Sequence, residues 1–118
     1  MTFDDYQEKA KEFADYPIIG HPMVYPFFGL PGEVGEVFEK TKKLFRDTNR
    51  HKKVIDEDII IDQKFLDGIT KEIGDVLWYM SQIATELNLS FDNIASANIS
   101  KLSKRKAEDK IHGEGDDR

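Results

Sequence analysis

Apolar positions recur at helical spacing in four stretches, and two of these stretches carry one pattern written twice. Residues 29–45 read GLPGEVGEVFEKTKKLF and residues 68–84 read GITKEIGDVLWYMSQIA. An offset of 39, the difference between 68 and 29, lays Gly29 on Gly68, Glu33 on Glu72, Gly35 on Gly74, Glu36 on Asp75 and Val37 on Val76. At about 100° per residue, Leu30, Val34, Val37, Phe38, Thr41, Leu44 and Phe45 form an apolar stripe, and Ile69, Ile73, Val76, Leu77, Met80, Ile83 and Ala84 form its counterpart. Glu33, Glu36 and Lys40 line one edge of the first stripe; Glu72, Asp75 and Tyr79 line one edge of the second. The carboxylates therefore border the core instead of pointing straight into water.

The flanking stretches complete an all-α reading. Thr2 with Asp5 approximates a capping box ahead of Phe3, Tyr6, Ala10 and Phe13, which predicts a first helix over 3–15. Its Gln7 lies beside the stripe, either as an interior amide able to read a base or as a surface residue. Residues 16–26 hold three of the four prolines, which predicts an apolar loop that must be covered. The lone His21 in it is a weak candidate for substrate contact. A second helix should begin at 27–31 and run to about Arg46. Residues 47–58 lack periodicity and predict a mobile connection, and the acids there lack the glycine and glutamate of a calcium loop. A third helix should span 59, or slightly later, to 87, stopping at Asn88. Ser90 is a good N-cap for a fourth, striped by Ile94, Ala97, Ile99 and Leu102 and running to about Lys106. From about 108 a polar, glycine-punctuated tail should be flexible without ligand. Four helices and no alternating strand pattern predict an all-α bundle, completed by pairing subunits into a homodimer or homotetramer.

Two features turn this pattern into candidate chemistry. Glycine inside a helix costs about 0.5 to 1 kcal/mol relative to alanine, so Gly35 and Gly74, each between two acids, require close approach of another backbone or a ligand. Four carboxylates gathered by two packed helices repel one another unless a cation joins them, and hard oxygen donors suit Mg²⁺ or Mn²⁺. A solvated acidic face is the plain alternative for either pair alone. Lys40 and Lys43 follow the acids along the first helix and would reach phosphates, or else pair with Glu36 and Glu39. Trp78 and Tyr79 would border a nucleoside pocket, or else belong to the core. Asn98, Lys101 and Arg105 project from the fourth helix at i, i+3 and i+7.

Composition removes several classes. The 118 residues suit one domain, residues 1–118. With 39% hydrophobic residues there is enough for a core, and no apolar run approaches the roughly 20 residues of a membrane span. No cysteine is present, which excludes disulfides and thiolate chemistry, and with the acidic N-terminus fits a cytoplasmic setting. A net charge of −6 argues against nucleic acid as a partner. A di-iron carboxylate bundle would need Glu-x-x-His, and His21, His51 and His112 do not stand at that spacing.

Glu33-x-x-Glu36, Glu72-x-x-Asp75 within EIGDVLWYM, and Asn98-x-x-Lys101-Leu102-x-x-Arg105 together resemble the MazG-like nucleoside triphosphate pyrophosphohydrolases. The resemblance runs from FDDYQ in the first helix through YPFFGLPGEVGEV to the HGEGDDR tail. It implies an all-α oligomeric enzyme that uses Mg²⁺ to split a nucleoside triphosphate into monophosphate and pyrophosphate. It further implies metal binding by Glu33, Glu36, Glu72 and Asp75, and phosphate contacts from Asn98, Lys101 and Arg105; of the four acids, Glu36 is our choice of general base, acting through a water. Gly32 stands where many members carry a second glutamate. The rival class is a non-catalytic helical dimer or adaptor.

Overall fold

The computed structural model describes residues 1–48, 61–108 and 115. The expected mobile connection and flexible tail lie almost wholly outside them. The described residues form four α-helices and no strand: α1 (Phe3–Ala10), extended by a 3₁₀ turn over Lys11–Phe13, α2 (Val24–Thr48), α3 (Gln63–Glu86) and α4 (Phe91–Ala107). Among them no helix is long and apolar enough to cross a membrane.

Several helix ends follow from their capping chemistry as the sequence predicts. Thr2 and Asp5 form the capping box of α1, with the Thr2 hydroxyl accepting from Asp5 N at 3.0 Å and Asp5 Oδ2 accepting from Thr2 N at 2.9 Å. Ser90 caps α4 by accepting from Asn93 N at 3.0 Å. Asn88 adopts a left-handed φ of 56° just past α3 and lets the chain reverse. Two ends differ from expectation. The first helix tightens to 3₁₀ after Ala10, and α2 starts earlier than 27–31, at Val24. His21 explains the early start: its Nδ1 accepts from Met23 N at 3.1 Å and its carbonyl accepts from Val24 N at 3.1 Å. Pro26 then falls in the first turn, where its missing N–H is no loss, and Pro31 lies inside the helix.

α2 and α3 pack side by side and antiparallel, and two glycine notches fix their register. A Cβ at Gly29 would collide with the Tyr79 ring, and one at Gly68 would meet the Lys40 side chain at 3.6 to 3.8 Å. In both pairs, 29 with 79 and 68 with 40, the residue numbers add to 108. The same rule sets Glu33 opposite Asp75 and Glu36 opposite Glu72, so the written repeat becomes a pseudo-twofold pair of helices. Within one copy the close approach lies at Gly29 and Gly68, whereas a Cβ at Gly35 or Gly74 meets no protein atom within 4 Å.

The remaining helices buttress this pair. Trp78 Nε1 donates to the Ala10 carbonyl at 3.2 Å, which ties α3 to α1 and commits Trp78 to helix packing. Gln7 is half-buried and its amide is tied into the fold. Its Nε2 donates to Thr85 Oγ1 at 3.1 Å and to the Leu89 carbonyl at 2.9 Å, while its Oε1 accepts from Phe91 N at 2.9 Å. The first turns of α1 and α4 cap each other: Asp92 Oδ1 accepts from Phe3 N at 2.9 Å, and Asp4 Oδ1 accepts from Asp92 N at 2.9 Å. Each carboxylate thus sits at the positive end of the other helix.

The two notches make opposite predictions for alanine. Gly29→Ala must displace the Tyr79 ring, and unfolding in urea should show a loss of about 1 to 3 kcal/mol, the range for overpacking. Gly68→Ala meets only ordinary contact and gains helix propensity, so it should unfold at an equal or higher midpoint.

Candidate metal centre

The register of α2 and α3 brings three of the four repeated acids together. Carboxylate oxygens of Glu33, Glu72 and Asp75 lie within 4.8 Å of one another and form a group that could hold a metal ion. Glu33 and Glu72 are half-buried and Asp75 is exposed. Glu36 stands outside this triad on the exposed side of α2, yet close enough to act on Glu33 electrostatically. Burial pushes the Glu33 carboxyl above its ordinary value, and repulsion from Asp75, Glu72 and Glu36 raises it further.

One cation of the chain already faces the group. Lys40 Nζ lies 3.4 Å from Glu72 Oε1, reaching across from α2 to α3. Sequence spacing suggested Glu36 as its partner, since it shows neighbours on one helix and not those across a helix pair. Lys43 does pair with Glu39, at 3.5 Å, although Lys42 holds the same carboxylate more closely at 2.6 Å.

Tyrosines border the other side of the acids. Tyr79 fills the Gly29 notch, and burial, then Tyr25, Glu33 and Asp75, raise its phenol pKa. The Tyr6 phenol on α1 is also raised, by burial and then by Asp75. Tyr16 donates to Glu86 Oε1 at 2.6 Å and stacks on Tyr25 with ring centroids 5.4 Å apart. Tyr6 was not singled out as a site residue in the sequence, because its nearness to Asp75 depends on how α1 folds back onto α3.

The basic residues of α4 stand apart. That helix docks chiefly on α1. Asn98 is exposed and Lys101 half-buried, whereas Arg105 is 5% exposed and donates through Nη2 to the Gly115 carbonyl at 3.1 Å. One copy of the chain therefore shows the carboxylate triad and, separately, an arginine bonded to the Gly115 carbonyl.

A family model, the MazG nucleotide pyrophosphohydrolase domain, matches residues 28–108, the span that contains both repeats and α4. The chain belongs to the MazG family. The Gene 37 protein of Mycobacterium phage L5 is a relative, 36% identical over 123 aligned residues that cover the whole of both chains. No solved structure matches this chain. The all-helical architecture accords with a MazG domain, and the triad supplies the hard oxygen donors that a divalent cation prefers.

Burial of Glu33 and the repulsion around it together have a measurable sign. A carboxyl whose pKa is raised by folding binds more protons in the native state, so stability of the metal-free MazG domain should fall as pH rises from the ordinary carboxylate range through the Glu33 value. Glu33→Gln should flatten this part of the stability profile, measured by urea unfolding across pH 4 to 7.

Proposed function

We propose that this MazG domain, acting as one unit over the whole chain, is a Mg²⁺-dependent nucleoside triphosphate pyrophosphohydrolase, with Mn²⁺ as an acceptable substitute. The observation that carries the reading is the triad Glu33, Glu72 and Asp75, gathered within 4.8 Å from two copies of one sequence pattern. These residues would hold the ion. A bound divalent cation supplies neutralisation of phosphate charge and a lowered pKa for water.

The chain's own groups then position and protonate. Glu36 lies outside the triad and accepts the proton of the attacking water as general base. Water oxygen bonds to the α-phosphorus, and the bond from that phosphorus to the αβ-bridging oxygen breaks. Pyrophosphate leaves with the electron pair, and nucleoside monophosphate remains. Lys40 and Lys43 neutralise phosphate oxygens, and Tyr79 borders the nucleoside.

A second copy completes the site. Leu66, Ile73 and Met80 on α3 and Leu87 at its C-cap follow one another at intervals of seven and are 44%, 54%, 42% and 38% exposed. Phe38 and Phe45 on α2 are 70% and 37% exposed. Such an apolar face on a helix pair is the kind that a subunit covers. Homodimerisation or tetramerisation through it would bring Asn98 and Lys101 of α4 to the phosphates of a neighbouring copy; Arg105 would join them only by leaving its contact with the Gly115 carbonyl.

Two measurements test these readings. A nucleotide panel with MgCl₂ should yield monophosphate and pyrophosphate, and Asp75→Asn should lower turnover by at least about a hundredfold, comparable to the loss of one charge-stabilising group, with helical content unchanged. Diphosphate and inorganic phosphate as products would sink the mechanism. By sedimentation, Ile73→Glu should shift the protein to a monomer, and a native chain that already sediments as a monomer would refute the shared site.

A further inference from the structure

The pseudo-twofold of α2 and α3 is broken at one position. The offset of 39 that lays Glu33 on Glu72 and Glu36 on Asp75 also lays Lys40 on Tyr79. Both side chains do the same geometric job, filling the glycine notch of the facing helix at Gly68 and Gly29. They differ in chemistry. The carboxylates are thus flanked by an ammonium at one end and a phenol ring at the other.

Each flank continues in kind. Beyond Lys40 a groove of about 580 Å³ opens between the end of α2 and the start of α3, lined by Lys43, Lys64, Phe65 and Gly68 among others. Lys64 is exposed, and the described residues give it no ion pair. Lys43 is the looser partner of Glu39, at 3.5 Å against 2.6 Å for Lys42. Both ammonium groups can therefore turn to an anion. The two acids that also line the groove have other engagements: Asp62 accepts from Phe65 N at 2.8 Å, and Asp47 pairs with Arg46 at 2.8 Å. Beyond Tyr79 the surface is aromatic, with Trp78 edge-on to it at 5.0 Å and Tyr25 stacked on Tyr16.

We propose that the groove is the seat of the terminal phosphates, so that a nucleoside triphosphate lies along α2 and α3 with its pyrophosphate end against Lys43 and Lys64 and its nucleoside end towards Tyr79. This rests on the pyrophosphohydrolase reading and adds to it the direction of the substrate. A symmetric pair of acids cannot tell the two ends of a ligand apart; the exchange of lysine for tyrosine does. The leaving pyrophosphate is then born in the basic groove, and inorganic pyrophosphate alone should occupy it.

The test is calorimetric binding of inorganic pyrophosphate, and separately of a nucleoside monophosphate, to the full chain in MgCl₂. Lys43→Ala with Lys64→Ala should weaken pyrophosphate at least roughly tenfold, the equivalent of about 1.4 kcal/mol, and leave monophosphate binding within about twofold. Lys64→Arg should restore most of the loss in the Lys64→Ala single variant. Tyr79→Ala should weaken monophosphate selectively. Because Lys43 and Lys64 are exposed, their variants should keep the native melting temperature and decide the matter even if Tyr79→Ala fails to fold. Pyrophosphate binding that is absent, or indifferent to both lysines, overturns the proposal; so does monophosphate that depends on the lysines while pyrophosphate does not. Turnover separates the two readings. A chain that binds pyrophosphate through these lysines but hydrolyses no triphosphate would refute the enzyme reading alone, whereas hydrolysis with lysine-independent pyrophosphate binding would refute the groove alone.

Discussion

Holding Glu33, Glu72 and Asp75 within 4.8 Å of one another is unfavourable in the absence of a cation, and the packing of α2 on α3 must offset that repulsion. Burial and then this repulsion raise the Glu33 pKa, and Lys40 relieves part of the repulsion by reaching across to Glu72. Much of the rest of the described structure braces this helix pair. Trp78 ties α3 to α1, and Gln7 ties α1 to the turn between α3 and α4. Reciprocal capping by Asp4 and Asp92 fixes where α4 begins.

Such an arrangement would make like charge a binding tool for a cation. A group that repels itself gains most when a divalent ion arrives, because the ion supplies attraction and cancels repulsion at once. Partial burial of Glu33 and Glu72 strengthens both effects, and exposure of Asp75 keeps the group open to solvent and ligand. The apolar face left along Leu66, Ile73 and Met80 belongs to the same economy of a short chain, in which little side-chain surface is fully buried within one copy.

What could be read from the sequence was whatever is local or repeated. Thr2, Asp5, Asn88 and Ser90 announced their helix ends through hydrogen bonds that span a few residues. The repeat announced a paired acidic edge, since identical spacing on two helices yields identical faces. What depends on distant partners was hidden. Pairing of Lys40 with Glu72 requires the antiparallel register, which glycines 29 and 68 set and which the glycines between the acids do not. The early start of α2 depended on a ring nitrogen of His21 acting as a cap, a role that the residue type does not advertise. The family resemblance implies a phosphate contact for Arg105, whereas in one copy it is buried against the carbonyl of Gly115.

The 108 register has a consequence for how this stretch of chain can change over generations. Adding or deleting one residue between Gly29 and Lys40 would turn everything beyond it by about 100° and slide it by about 1.5 Å along the axis. Lys40 could then no longer fill its notch at Gly68 while Tyr79 fills the one at Gly29, whatever side chains surrounded them. Substitution leaves that frame intact. The spacing between the two notches is therefore a constraint on length, one that substitutions within it leave satisfied.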